Sequence, residues 1–305
     1  MFFSYSTFFT VFGQVRPKIT DIPTILGRFC NLPDNPHALN GTSLITLQPD
    51  SKNNNDMGED KIIVVANQKG GVGKSTVCMT LANYLTLELK FRVGAIIDTD
   101  PQQSVGKRRK SDLEMSGGTG SYPAYEVTEF SLSNYPQIPD LIGELRKTDM
   151  FYIFDTPGNM KHQGIVSLLA FADFIIVPFS YDALVLASTV QFLIFWNNLR
   201  INFEKSNGQT LNGRIIFVPV MIDNRIGTAA ERALWENIRT EYAKFGSIAP
   251  QIGYNADMKR SDTMRLTPRQ KAAVQDTYDH IVKNIYSPKQ DTTNTDNHGY
   301  EDTED

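Results

Sequence analysis

The chain has 305 residues, is 41% hydrophobic and 21% charged, and carries a formal net charge of −4. That length and apolar content suit one large domain plus tails and leave no room for a second catalytic domain. Two cysteines, Cys30 and Cys78, are too few and too unlike a ligand pattern for a disulfide framework or a metal cluster, which points to a reducing cytosol.

Residues 1–60 open on an aromatic stretch, Met1 to Phe12, and pass through a Pro/Asn-rich segment into a polar linker from Leu47 to Asp60. The stretch lacks the basic and long aliphatic regions of a secretory signal, and no run reaches the roughly 18 apolar residues of a membrane span. Met57 lies just before the first apolar run, so residues 1–56 are expected to be either a poorly ordered extension or an over-long gene start. No helix-turn-helix pattern stands out there.

From residue 61 to 287 the chain alternates short apolar runs with helical patterns. Strands are predicted over 62–66, 92–97, 151–155, 173–178 and 215–221, and helices over 74–89, 102–114, 138–147, 183–203, 228–245 and 268–286. Gly117, Gly118 and Gly120 break the chain in a loop over 116–123. This alternation predicts an α/β, doubly wound, mainly parallel sheet with helices on both faces. Residues 288–305, with one lysine against six acids, form an acidic tail expected to be disordered; removing it leaves the rest of the chain near +1. The overall negative charge argues against constitutive polyanion binding, yet local basic patches remain possible on that remainder.

The first apolar run, Ile62 to Ala66, leads into Lys69-Gly70-Gly71-Val72-Gly73-Lys74-Ser75-Thr76. A strand, a glycine-rich turn and a helix start together present backbone N–H groups and a helix dipole to anions. Glycine lets phosphate approach the backbone and permits positive φ. In such a loop Lys74 would neutralise the β and γ phosphates, and the Ser75 hydroxyl would ligate Mg²⁺. The ordinary nucleotide-loop pattern requires glycine at position 68, where this chain has Gln68. Two further apolar runs end in acids: Ala95-Ile96-Ile97-Asp98-Thr99-Asp100-Pro101-Gln102 and Phe151-Tyr152-Ile153-Phe154-Asp155-Thr156-Pro157-Gly158. Ligands of open α/β sheets sit beyond the carboxyl ends of the strands, which is where Asp98, Asp100 and Asp155 fall. Phosphoryl transfer to water needs a cation clamp, a metal shell and a group to orient water, rather than covalent chemistry.

With Lys69 opening the loop and the three motifs in order, the sequence over residues 61–270 resembles the ParA/MinD family of partition and positioning ATPases, which carry this deviant P-loop. The resemblance implies ATP and Mg²⁺ as cofactors, Asp100 positioning the attacking water, and Asp98 and Asp155 holding the metal shell through bound waters. It implies that Lys69 reaches across a two-fold axis to the nucleotide of a second copy, so that ATP holds a homodimer together. Val218 to Arg225 lies where family members read the adenine edge, with Asn224 as the candidate.

Two basic clusters compete as a DNA surface. Lys107, Arg108, Arg109 and Lys110 read more readily as a solvated helix face, whereas Lys259, Arg260, Arg265, Arg269 and Lys271 are the preferred set. Related ATPases bind DNA without sequence preference through such late basic residues, and phosphate contacts suffice for that. The positioning branch ends in a basic amphipathic helix on anionic lipid; the acidic terminus here argues against a membrane partner. The resemblance therefore implies a cytoplasmic, nucleoid-associated ATPase, stimulated by a small DNA-binding adaptor, that segregates or positions plasmid or mobile DNA. Alternatives are a conjugation accessory ATPase gathering a DNA-transfer complex and a noncatalytic ATP-dependent scaffold.

Overall fold

The computed structural model describes residues 61–117, 124–160, 162–223, 225 and 227–287. The expectations for residues 1–60, most of the 116–123 loop, Asn224 and the acidic tail lie outside them.

Eight strands form one parallel sheet: β1 (Ile62–Val65), β2 (Val93–Asp98), β3 (Glu126–Glu129), β4 (Phe151–Asp155), β5 (Phe174–Phe179), β6 (Arg214–Ile222), β7 (Ser247–Ile248) and β8 (Ile252–Gly253). Their order is β3-β2-β4-β1-β5-β6-β7, with β8 also pairing β6. The central strands β1, β4 and β5 are buried at every position. A parallel strand without a solvent face must be covered by helices on both sides, which explains why these segments are continuous runs of Ile, Val and Phe rather than alternating ones.

The helices are α1 (Lys74–Asn83), α2 (Ser104–Met115), α3 (Ile138–Arg146), α4 (Gln163–Phe171), α5 (Ala183–Asn207), α6 (Ala229–Tyr242) and α7 (Pro268–Ile285). A π-helical turn, Tyr84–Glu88, continues α1, so the predicted 74–89 helix is α-helical only in its first part. Thr228 with Glu231 and Thr267 with Gln270 form capping boxes at the starts of α6 and α7, each satisfying exposed N–H groups reciprocally. In α7 the apolar face of Val274, Tyr278, Ile281 and Ile285 is buried.

Three strands and one helix escaped the sequence reading: β3, β7, β8 and α4. α5 is not an unbroken apolar run, yet it is long and apolar enough to cross a membrane by length and composition. Its Val185, Leu186, Phe192, Leu193 and Trp196 are buried in the core, which accounts for that composition.

Candidate nucleotide site

The three motifs converge at the carboxyl ends of β1, β2 and β4, which lie side by side in the sheet. The loop from Lys69 to Gly73 leaves β1 and enters α1 through Gly73 in the left-handed region (φ 93°), with Gly71 also at positive φ (77°). An L side chain there would be strained. A Cβ on Gly70, Gly71 or Gly73 would meet no atom within 4 Å, so the loop borders open space. The first turn of α1 has neither a side-chain cap nor an acidic residue. Its free N–H groups therefore face that space with the positive end of the helix dipole.

Buried polar contacts fix the loop from behind. Val72 is fully buried and pins the turn to the core. Asn67, also fully buried, donates through Nδ2 to the Pro178 carbonyl (2.8 Å) and Thr189 Oγ1 (3.0 Å), while its Oδ1 accepts from Lys69 N (3.3 Å). Thr156 Oγ1 donates to the Val65 carbonyl (2.9 Å) and Thr99 Oγ1 to the Asp155 carbonyl (2.7 Å), tying the strand ends together. Gly158 lets the third motif lie against the loop: a Cβ there would sit 2.9 Å from Gly70 N. The sequence reading missed the role of Asn67, Thr99, Thr156 and Gly158. Only the close approach that Gly158 permits has a residue-type signal.

The chemistry-bearing side chains then take distinct places. Lys74 is buried and its Nζ donates to the Lys69 carbonyl (3.0 Å). Burial depresses its ammonium below the ordinary lysine range, opposed by the charges of Asp155 and Asp100. Ser75 Oγ donates to Asp155 Oδ2 (2.6 Å). Asp155 is fully buried, its Oδ1 has no hydrogen-bond partner, and burial pushes its carboxyl up to about 7. An orphaned carboxylate oxygen beside a serine hydroxyl is a hard-oxygen donor set of the kind Mg²⁺ takes, so the residues fit that ion.

Asp98 is arranged differently. Its Oδ2 accepts from Val105 N (2.9 Å) and Gly106 N (3.0 Å), and its Oδ1 from Asp100 N (3.1 Å). Burial raises its carboxyl pKa, with those backbone bonds opposing. The carboxylate thus anchors the start of α2 and shapes the turn carrying Asp100. Of the two acids expected at the metal, Asp155 alone keeps an unpartnered oxygen. Asp100 accepts from Gln102 N (2.9 Å) and is half-buried at the mouth of the site. Thr76 follows in the first turn of α1. Lys69 is also half-buried, and its ammonium has no partner among the described residues.

The family model for the CobQ/CobB/MinD/ParA nucleotide binding domain matches residues 63–269. The chain belongs to this family. Its fold is similar to that of Cyanothece McdA, solved as an ATP complex of a D38A variant (TM-score 0.55, 18% identity, 76% of this chain and 98% of that one). It is also similar to a plasmid partition protein from Borrelia burgdorferi (0.54, 17%, 74% and 99%). A third likeness is to cobyrinic acid a,c-diamide synthase from Mycobacterium smegmatis, solved with an ATP analogue and magnesium (0.52, 19%, 74% and 96%). No curated protein matches the sequence. At these identities the solved structures establish the fold, while the match over residues 63–269 makes the loop, Asp98, Asp100 and Asp155 part of the family's nucleotide-binding domain.

The residues expected to meet DNA lie elsewhere. Lys259 and Arg260 sit on the 3-10 helix Ala256–Arg260, Arg265 on the following loop, and Arg269 and Lys271 in the first turn of α7. Lys271 pairs with Glu88 (2.5 Å), Arg265 with Asp262 (2.7 Å) and Arg269 more loosely with Asp257 (3.7 Å). The first basic cluster is the solvated helix face expected of it only in part. Arg109 is buried, donating to the Tyr125 carbonyl (2.8 Å) and stacking over the Tyr125 ring, while Lys107 and Lys110 are exposed.

Proposed function

We propose that this chain is a Mg-ATP-dependent dimerising ATPase of the ParA type that binds nonspecific DNA and segregates or positions plasmid or other mobile DNA. The observation that carries the reading is the buried Asp155 with one oxygen unpartnered, beside Ser75 and behind the Lys74 ammonium, at the foot of a glycine loop open to solvent. A buried carboxylate short of a partner, a serine hydroxyl and a lysine ammonium beneath an open glycine loop suit a phosphate chain with a divalent cation. When bound, Mg²⁺ supplies charge neutralisation on the phosphate oxygens.

Lys74 gives up the Lys69 carbonyl and neutralises the phosphates, the loop N–H groups cradle them, and Ser75 and Asp155 hold the ion. Asp100 orients the attacking water and takes its proton. Lys69, whose ammonium has no partner among the described residues, serves the nucleotide of a second copy. A plasmid partition protein is among the proteins of similar fold, and the basic segment from 259 to 271 offers cations to a phosphate backbone, which together support a role in DNA positioning.

Size-exclusion chromatography with Mg-ATP against ADP, together with a turnover assay, tests the reading. The wild-type chain is expected to elute as a dimer only with ATP, and Lys69→Gln to bind ATP yet lose both dimer and turnover. A monomer in ATP, or full turnover in Lys69→Gln, overturns the shared site. Absence of turnover in the wild type with DNA and partner present leaves the scaffold alternative standing in its place.

A further inference from the structure

The two basic stretches that stand apart in sequence meet in the fold. Asp112, near the end of α2, is buried, and its Oδ2 accepts from both Thr263 N (2.8 Å) and Thr263 Oγ1 (2.9 Å). One turn earlier, Arg108 Nε lies 2.8 Å from Asp112 Oδ1, an ion pair out of line for a hydrogen bond. Across the seam, Asp262 is buried as well; it accepts from Arg265 N (2.8 Å) and pairs with Arg265 Nε (2.7 Å). The pattern is the same on both sides. A carboxylate only 3% or 8% exposed sits beneath an arginine that is 34% or 78% exposed.

In both pairs the carboxylate takes the Nε edge. That leaves the terminal NH₂ groups of Arg108 and Arg265 without a partner among the described residues, in the planar fork geometry that suits phosphate oxygens. The buried acids restrict the side-chain rotamers before any ligand arrives, so less freedom is lost on binding. Lys259 and Arg260, exposed on the adjoining 3-10 helix, form no ion pair among the described residues and extend the positive field.

We propose that Arg108 and Arg265 form a two-arginine clamp for the phosphodiester backbone of duplex DNA, set across the seam where Asp112 holds Thr263. This rests on the DNA-binding reading above and relocates its surface: the face is composite, half of it supplied by the helix that follows the second motif. The same helix is anchored at its start by Asp98, through Val105 N and Gly106 N. A movement of the Asp98–Asp100 turn is therefore delivered to Arg108 within one helical turn, which gives the nucleotide a mechanical route to the clamp.

The test is fluorescence anisotropy of a labelled random-sequence duplex with the full chain in Mg-ATP at several salt concentrations. Arg108→Gln and Arg265→Gln are each expected to weaken binding several-fold and to lower the slope of log K against log salt by about 1. Arg108→Lys and Arg265→Lys keep that slope and lose only part of the affinity, because the charge remains and the fork is lost. Lys147→Gln, paired with Glu144 on α3, serves as a control and changes neither. Arg265→Gln alters a mostly exposed side chain and keeps the test valid if Arg108→Gln lowers Tm. Wild-type binding with unchanged slope and affinity in both glutamine variants overturns the clamp and leaves the DNA reading intact. No duplex binding by the wild type in any nucleotide state, or arginine-dependent retention on phosphatidylglycerol vesicles instead, overturns both.

Discussion

Asp155 and Asp112 are both buried aspartates within reach of a cation, yet one belongs to a site and the other to the scaffold. Asp112 gives one oxygen to two donors of Thr263 and faces the Arg108 guanidinium with the other. Asp155 receives Ser75 on Oδ2, and its Oδ1 has no hydrogen-bond partner among the described residues. A buried acid whose charge is answered by the fold stabilises that fold; one left short costs stability and marks a place completed by a ligand. Substitution should therefore cost mainly activity at Asp155 and mainly stability at Asp112.

The largest effect is expected at the unanswered acid. Asp155→Asn removes a buried charge without changing volume, so the ligand-free protein should keep or gain thermal stability. Turnover in Mg-ATP should fall by about 10² or more, the scale on which an electrostatic group at a transition state acts. Parallel melts and turnover assays check it; a variant that turns over normally, or one that unfolds, breaks the contrast. Asp112→Ala is the counterpart. It strips two donors and a guanidinium of their acceptor and should destabilise the chain by roughly 3 kcal/mol in denaturant titrations. Turnover per folded molecule should change far less than for Asp155→Asn.

Gly158→Ala asks whether the third motif supports the phosphate loop as a neighbouring wall. The added Cβ would meet Gly70 N at 2.9 Å, and backbone on both sides leaves little room to yield. A cost of about 1–3 kcal/mol is expected, with weaker ATP affinity because the loop is the part that must shift. Unchanged affinity in a binding titration would mean that the two backbones slide apart freely.

The central sheet and the site's charged residues were legible in sequence because each is signalled by pattern. Ile62 to Val65, Phe151 to Asp155 and Phe174 to Phe179 are unbroken apolar runs, and the glycines and acids follow them directly. The missed elements lack pattern for physical reasons. In β3, Glu-Val-Thr-Glu is an edge strand in which only Val127 is partly covered, and β7 and β8 are two residues each. The nine residues of α4 are apolar nearly all round, so no helical period separates it from a buried strand. α5 runs past its predicted end at 203 to Asn207, where Gly208 at φ 65° stops it; its last turn, Glu204 to Asn207, is polar and mostly exposed, so no apolar period marks it. Asn67 reaches Thr189 and Asp112 reaches Thr263 across more than a hundred residues, and a single polar residue carries no local mark of so distant a partner. The composite nature of the basic face was hidden for the same reason.

The smallest effect sharpens the contrast with a titratable group that is only half-buried. His280 on α7 meets Ser247 Oγ through Nε2 (2.6 Å), and burial, with Lys283 one turn away, holds its pKa below the ordinary 6.5. The folded chain therefore binds this proton less readily than the unfolded chain. Its contribution to stability is present above 6.5 and is lost as the pH falls from there through the lower folded value. His280→Gln retains a donor and an acceptor for Ser247 but does not titrate, so melts taken on either side of 6.5 should differ less for the variant than for the wild type. An equal acid loss in both would assign it to other groups and leave His280 as packing alone.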